Sequence, residues 1–156
     1  MIRTSQSHPL LIATLPLGSL GGAVGVTFAP GKHQQAMTGI WARDLMTDLE
    51  AIFAWGATYV VTLLEPWELD TLGISELPER ARALGMQWHG LPITDGAAPD
   101  ERFLVPWYSL EPMLQQAIAG GARVVALQGW ARAGGHRGVP VAAGRWRDKQ
   151  RGRCHG

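Results

Sequence analysis

The sequence predicts an α/β fold, a central and mostly parallel sheet with flanking helices, that is incomplete at its C-terminal end. Strand-like apolar runs alternate with segments whose apolar residues recur at helical spacing, which is typical of a sheet covered by helices on both faces. Residues 58–64 are β-branched or apolar on both sides of a strand, as in the buried strands of parallel sheets. After Val125 the alternation stops, and no segment with a helical apolar face follows.

The predicted strands begin with a hairpin. Residues 10–13 and 23–28 are apolar, and the glycines within residues 18–22 favour a turn between them. The pair Pro30 and Gly31 predicts a second turn. Further strands are predicted at residues 58–64 and at residues 86–89, and residues 122–125 are predicted to begin another.

Three helices are predicted. The clearest one spans residues 44–55 and ends at Gly56, with an apolar face of Leu45, Leu49, Ile52 and Phe53. A second helix begins near Ser75 and ends at Gly85. The third spans residues 107–119, with an inward face of Leu110, Met113, Leu114, Ala117 and Ile118. Pro112 is expected to fit a helix here only if it lies in the first turn. Tryptophans are expected in the core or on cleft walls at positions 41, 55, 67, 88 and 107.

The composition is that of one globular domain. A chain of 156 residues that is 46% hydrophobic can bury a core. The apolar stretch at residues 10–20 is interrupted by Pro16 and Gly18, so it predicts a strand rather than a signal peptide or a membrane span. Cys154 is the one cysteine, so no internal disulfide can form and a cytoplasmic location is expected. The histidines lack metal-ligand spacing, and we expect no metal and no cofactor.

Charge is distributed unevenly along the chain. Residues 1–130 contain 7 basic and 12 acidic residues, a net charge of −5, whereas residues 131–156 contain 7 basic residues and one acidic residue, a net charge of +6. A basic tail on an acidic domain can bind an acidic partner or nucleic acid. The tail lacks the interleaved aromatic residues and the helical basic stripe typical of such arms, so we expect no nucleic acid and no membrane partner. The sequence predicts no oligomeric state.

Six sequence pieces occur in a fixed order. Residues 88–100 read Trp-His-Gly-Leu-Pro-Ile-Thr-Asp-Gly-Ala-Ala-Pro-Asp. The other five are Thr-Phe-Ala-Pro-Gly-Lys at 27–32, Trp-Ala-Arg-Asp-Leu at 41–45, Trp-Gly-Ala at 55–57, Val-Val-Thr-Leu-Leu-Glu at 60–65 and Glu-Leu at 68–69. Together they make residues 10–125 resemble the kinase-associated type of dual-specificity phosphatase, within the protein-tyrosine-phosphatase superfamily.

The resemblance implies a chemistry. In this family a cysteine thiolate attacks phosphorus, a loop of backbone N–H groups binds the phosphate, and an aspartic acid protonates the leaving oxygen. Asp95 matches that general acid, and Lys32 matches a residue bordering the substrate cleft. The alternatives are that Asp95 is a turn residue before Gly96 and that Lys32 is a solvated turn lysine. The substrate class implied is a phosphoprotein or a small phosphate ester.

The nucleophile loop of the family is missing. His-Cys, five residues and Arg are expected directly after Val125, where the chain reads Ala-Leu-Gln-Gly-Trp-Ala-Arg. Arg132 has no cysteine upstream, and Cys154 lies in a Gly/Arg-rich tail where we expect an incidental thiol. We therefore assign no nucleophile and expect no catalysis. The predicted organisation is a phosphatase-like domain at residues 1–125 and an unstructured tail at residues 126–156.

The genetic code offers one explanation for the missing loop. Shifted forward by one nucleotide, the possible codons from Ala126 onward admit His-Cys-Lys-Gly-Gly-Leu-Gly-Arg-Ala-Gly-Thr, which is the missing signature. We therefore expect a frameshifted phosphatase, truncated before its active site. The loss of the following helices would then leave one sheet face bare and the fold prone to aggregate.

Two other interpretations remain. The chain could be a non-catalytic binding protein that uses its basic tail for an acidic partner or nucleic acid. It could also be an unrelated small α/β domain in which the motif pieces occur by chance.

Overall fold

The computed structural model describes residues 2–31, 33–36, 39–94 and 97–128. The elements follow in the order β1 (Ile2–Arg3), β2 (Ala13–Pro16), β3 (Ala23–Phe28), β4 (His33–Ala36), β5 (Gly39–Ala42), α1 (Leu45–Trp55), β6 (Ala57–Thr62), α2 (Pro66–Thr71), α3 (Leu77–Ala83), β7 (Gln87–Gly90), α4 (Glu101–Ala119) and β8 (Arg123–Gln128).

The central sheet has five strands in the order β2-β3-β8-β6-β7. Strands β3, β8, β6 and β7 are parallel, and β2 is the antiparallel edge strand. In the middle of the sheet, Val125 of β8 lies opposite Gly25 and Val60. A second, three-stranded sheet has the order β1-β5-β4. The predicted α/β class with a mostly parallel sheet is therefore confirmed.

The N-terminal hairpin is confirmed with a shifted first strand. β2 spans Ala13–Pro16 instead of residues 10–13, and it pairs with β3 from Ala13 opposite Val26 to Pro16 opposite Ala23. The register is set at the turn, where the Leu17 N–H donates to the Gly22 carbonyl at 2.9 Å. Leu10 and Ile12 still pack against the core, so their apolar character reflects burial rather than strand pairing.

Helix α1 agrees with the prediction at both ends. The Asp44 carboxylate accepts a hydrogen bond from the Thr47 N–H at 2.8 Å, and Gly56 ends the helix in the left-handed region at φ 106°. Its buried stripe includes Leu49 and Ile52. Phe53 was expected on this stripe, but its side chain is 52% exposed. The stripe that the helix buries is therefore narrower than the predicted apolar face.

Helix α4 begins six residues before the predicted start at residue 107. The carboxylate of Asp100 caps it by accepting from the Arg102 N–H at 3.0 Å. Pro106 and Pro112 both lie inside the helix and are exposed, so the expectation that Pro112 needs the first turn is wrong. Carbonyls left without an intrahelical donor at an exposed proline can be hydrated. Met113 was expected to face inward and is 37% exposed.

The core lies on both faces of the central sheet. On one face, residues of α1 and α3 pack against β6 and β8; the buried residues include Leu49, Ile52, Leu77, Ala81, Val60, Val125 and Leu127. On the other face, α4 packs against the same two strands; the buried residues include Phe103, Trp107, Leu110, Leu114, Ile118, Val61 and Val124. The expected bare face is therefore covered at Val61 and Val124, while Val26 and Ala126 on that face are half-buried.

Several other predictions meet the structure only in part. β8 spans Arg123–Gln128, in line with the strand predicted to begin at residues 122–125; residues 129–156 lie outside the described part, so the domain boundary at residue 125 stays a prediction. Among the tryptophans, Trp107 is buried, whereas Trp67 is 53% exposed and lies at the surface. None of the described helices is long and apolar enough to cross a membrane.

Candidate functional site

The candidate site lies at the carboxyl edge of the central sheet. Because β3, β8, β6 and β7 are parallel, the segments that follow them all leave at this edge. In open α/β sheets, ligands bind outside the carboxyl ends of the strands. The described segments at this edge are residues 29–31, 63–65 and 91–94.

The segment after β7 is an extension of the sheet. The Leu91 N–H donates to the Thr62 carbonyl at 2.9 Å, and the Ile93 N–H donates to the Leu63 carbonyl at 3.1 Å. Leu91 is 1% exposed and packs under α4. The loop formed by residues 91–100, here called the 91–100 loop, is therefore bonded to the end of β6 as far as Ile93.

A polar cluster holds the next residue of this loop. The Thr94 hydroxyl donates to Glu65 Oε1 at 3.1 Å and accepts from Arg102 Nη2 at 2.9 Å. Arg102 Nη1 forms an ion pair with the same Glu65 oxygen at 2.8 Å. The second oxygen, Oε2, accepts from the Trp67 indole N–H at 2.6 Å. We call Glu65, Trp67, Thr94 and Arg102 the Glu65 cluster.

The electrostatics of the cluster favour the charged forms of both ionisable groups. The hydrogen bond from the Trp67 indole, followed by the one from Arg102, holds the pKa of Glu65 below its ordinary value of 4.5, although desolvation opposes this. The hydrogen bond to Glu65 in turn raises the pKa of Arg102. The ion pair is therefore present throughout the neutral pH range.

The start of α2 fixes the backbone of Glu65. The Glu65 N–H donates to the carboxylate of Glu68 at 3.1 Å, and Pro66 occupies the first helical turn, where its missing N–H costs no intrahelical bond. Glu68 is 2% exposed. Glu65 ends the motif at residues 60–65, and the sequence alone predicts no role for it. The available signal was its place three residues before Glu68, with a proline between them.

A buried ion pair supports the segment after β3. Arg43 Nε and Nη2 donate to the two carboxylate oxygens of Asp48 at 2.7 and 2.9 Å, and both side chains are almost fully buried. Asp48 also accepts from the Gly31 N–H at 2.7 Å. Gly31 has a φ of 67°, and a Cβ there would lie 2.6 Å from the Leu45 Cα, so this position requires glycine. α1 thereby fixes the backbone immediately before Lys32.

The two residues assigned by resemblance lie beside these fixed points. Asp95 directly follows Thr94, and Lys32 directly follows Gly31, but both lie outside the described residues, as do Arg132 and Cys154. Their roles remain predictions. The structure shows how the chain is held at the residue directly before each of them, which is Thr94 in one case and Gly31 in the other.

The resemblance to the phosphatase family predicts the nucleophile at the end of β8. Ala126 and Leu127 occupy it as regular strand residues, with Leu127 fully buried and its carbonyl accepting from the Leu63 N–H at 2.9 Å. Neither side chain has a group that can attack phosphorus. Within the described part of the chain, no group of three or more histidine, cysteine, aspartate or glutamate residues could hold a metal ion.

No protein-family model matches the chain, and no curated protein matches its sequence. Its fold is similar to a kinase-associated phosphatase, solved as a variant with serine in place of the catalytic-site cysteine, with a TM-score of 0.64 and 19% identity over 78% of this chain and 66% of the other. It is also similar to a protein of Leishmania major named as a protein tyrosine phosphatase, with a TM-score of 0.51 and 14% identity over 75% of this chain and 67% of the other. The chain thus spans about two thirds of each.

Proposed function

We propose that this chain, whose fold is that of the protein-tyrosine-phosphatase superfamily, derives from a cysteine-dependent phosphatase of the kinase-associated, dual-specificity type and does not itself hydrolyse phosphate esters. The observation that carries this proposal is the end of β8. In the middle of the sheet, where the family places its nucleophile, the chain has Ala126 and Leu127. The phosphatase resemblance of residues 10–125 supports the family, and these two residues support the loss of catalysis.

The chemistry of the intact ancestor follows from the family. A cysteine thiolate would displace the alcohol or phenol from phosphorus and form a cysteinyl phosphate. Asp95 would protonate the leaving oxygen and then activate the water that hydrolyses the intermediate. Phosphoproteins and small phosphate esters are the substrates proposed for that ancestor. This chain retains the Asp95 position without the group that begins the reaction.

A change of reading frame near Ala126 explains both halves of the sequence. The residues from Ala126 to Arg137 are compatible with a message whose next frame encodes His-Cys-Lys-Gly-Gly-Leu-Gly-Arg-Ala-Gly-Thr. This proposal rests on the residues at the end of β8 and on codon compatibility.

The absence of catalysis is tested with an aryl phosphate. Purified full-length chain is incubated with p-nitrophenyl phosphate beside the variants Cys154→Ser and Asp95→Asn. We expect all three proteins to match the rate without protein. Hydrolysis by the unmodified chain well above that of Cys154→Ser would overturn the proposal, because it would make the single cysteine a nucleophile.

The charge asymmetry favours a second function, binding without catalysis. Residues 131–156 have a net charge of +6 against −5 for the rest of the chain, so the tail could hold an acidic protein or a nucleic acid. The test is binding to DNA and RNA oligonucleotides at low and high salt. Salt-sensitive binding that disappears on deletion of residues 131–156 would support this function, and equal binding by the deleted chain would exclude it.

A further inference from the structure

We propose that Glu65 is a positioning residue: its carboxylate fixes Thr94, the residue that directly precedes Asp95 in the chain. The inference deepens the proposed function, since it rests on Asp95 as the general acid of the family. It assigns to Glu65 no contact with substrate.

The hydrogen bonds of Glu65 leave its carboxylate one orientation. Oε1 receives the Thr94 hydroxyl and Arg102, and Oε2 receives the Trp67 indole N–H. Three donors from three different segments meet on one carboxylate. Two of them, the Arg102 guanidinium and the Trp67 indole, are planar groups whose N–H bonds point in fixed directions. A carboxylate that only capped α2 would have no need of Thr94 or of Arg102.

Glu65 itself belongs to the rigid part of the fold. It follows β6 after two residues, and the Leu63 backbone bonds on one side to Leu127 and on the other to Ile93. On its other side the Glu65 N–H bonds to the buried carboxylate of Glu68. Glu65 is therefore joined to the paired strands on one side and to the start of α2 on the other.

The same cluster also holds the far end of the 91–100 loop. The Ala97 N–H donates to the Thr94 carbonyl at 3.0 Å, so Ala97 is bonded directly to the residue that Glu65 holds. Arg102 Nε bonds to the carboxylate of Asp100, which caps α4. Arg102 therefore joins the two ends of the loop to each other, and Glu65 joins them to the sheet.

The test is amide hydrogen exchange of the full-length, isotope-labelled chain in the variants Glu65→Ala and Thr94→Val. Glu76→Ala is the matched control, because Glu76 also pairs with an arginine, at 3.1 Å, but at an exposed site away from the loop. We expect exchange of the Ala97 amide, which bonds to the Thr94 carbonyl, to accelerate by about tenfold or more in both variants, with the core amides unchanged, and not to accelerate in Glu76→Ala.

A spectroscopic signal separates the two variants. The Trp67 indole N–H resonance should move in Glu65→Ala, which removes its acceptor, and stay in place in Thr94→Val, which preserves the Glu65–Trp67 bond. Because valine is close in shape to threonine, Thr94→Val keeps the proposal testable even where Glu65→Ala does not fold. Unaltered exchange of the Ala97 amide in folded Thr94→Val would overturn it.

The exchange experiment needs no catalysis, so its outcome is independent of the proposed function. The link to Asp95 is tested in a chain whose frame has been restored to contain the cysteine. There Thr94→Val should lower kcat and leave KM nearly unchanged, as Asp95→Asn should. A fall in kcat for Asp95→Asn without one for Thr94→Val would refute the positioning role and keep the proposed function. No effect of Asp95→Asn would refute the assignment of the acid.

Discussion

Glu65 and Arg102 form an ion pair of 2.8 Å that joins the end of a central strand to the first turn of helix α4. Between these two points the chain forms α2, α3, β7 and the 91–100 loop. The pair therefore joins the two ends of the segment 65–102, in which Asp95 lies. The pH dependence of this pair and the stability of the elements around it can both be measured.

The contribution of Glu65 to stability should depend on acid pH. The Trp67 and Arg102 hydrogen bonds hold the pKa of Glu65 in the folded chain below 4.5. Such a group stabilises the fold fully above the pKa of the unfolded chain and loses its contribution as pH falls through the folded pKa. The melting temperatures of wild type and Glu65→Gln should therefore differ at neutral pH and converge below pH 4.5. A difference that persists or widens in acid would contradict this.

His89 should make the fold sensitive to mild acid. Burial, with a smaller effect of the Arg82 charge, lowers the pKa of His89 from 6.5. The unfolded chain then binds a proton at a higher pH than the folded chain, so the stabilisation is full above pH 6.5 and is lost as pH falls below it. Melting curves of wild type between about pH 7.5 and 5.5 should fall more steeply than those of His89→Gln. Parallel curves for the two proteins would show that His89 does not titrate in this way.

The Arg43–Asp48 pair should be costly to break. Asp48→Asn would leave the Arg43 charge without its counter-ion in a site where both side chains are almost fully buried, and we expect a loss of about 3–5 kcal/mol in urea unfolding. The double variant Arg43→Met with Asp48→Leu should recover part of that loss. The exposed pair of Arg80 and Glu76 is the control, and Glu76→Gln should cost about 0–1 kcal/mol. Equal losses for Asp48→Asn and Glu76→Gln would be inconsistent with a buried pair.

Two neighbouring residues of α4 test whether this helix covers the sheet. Leu114 is 2% exposed and Met113 is 37% exposed. Leu114→Ala should therefore destabilise the fold by about 2–5 kcal/mol in urea unfolding, and Met113→Ala by clearly less. The reverse order would mean that α4 does not pack on Val61 and Val124 as described.

The parts of the fold that the sequence predicted are those with local signals. Asp44 and Gly56 mark the ends of α1 by capping chemistry, and β3 spans the six residues expected from its apolar run. The start of α4 was missed because Pro106 is an unusual residue inside a helix, and Asp100 lies in the motif that resembled a loop. Very short strands such as β1, and the six-residue α2, lack a measurable period.

The site was predictable to a smaller extent. The motif around Asp95 is contiguous in the sequence, so it identifies Asp95 as a candidate, and the role of this residue stays a prediction. The role of Glu65 was not predictable, because it depends on contacts with Thr94 and Arg102 that form only when the strands are paired. Phe53 and Met113 illustrate the same limit for packing, since helical spacing gives a face and the neighbouring elements decide how wide a stripe of it is buried.

The nucleotide sequence that encodes residues 123–137 tests the central claim most directly. We predict that the frame shifted forward by one nucleotide spells His-Cys, five residues and Arg after the codon for Val125, and that it stays open beyond them. Restoring that frame should then give a phosphatase that depends on the new cysteine and on Asp95. A shifted frame that is closed, or that spells another sequence at this point, would contradict the account and leave binding through the basic tail as the function to pursue.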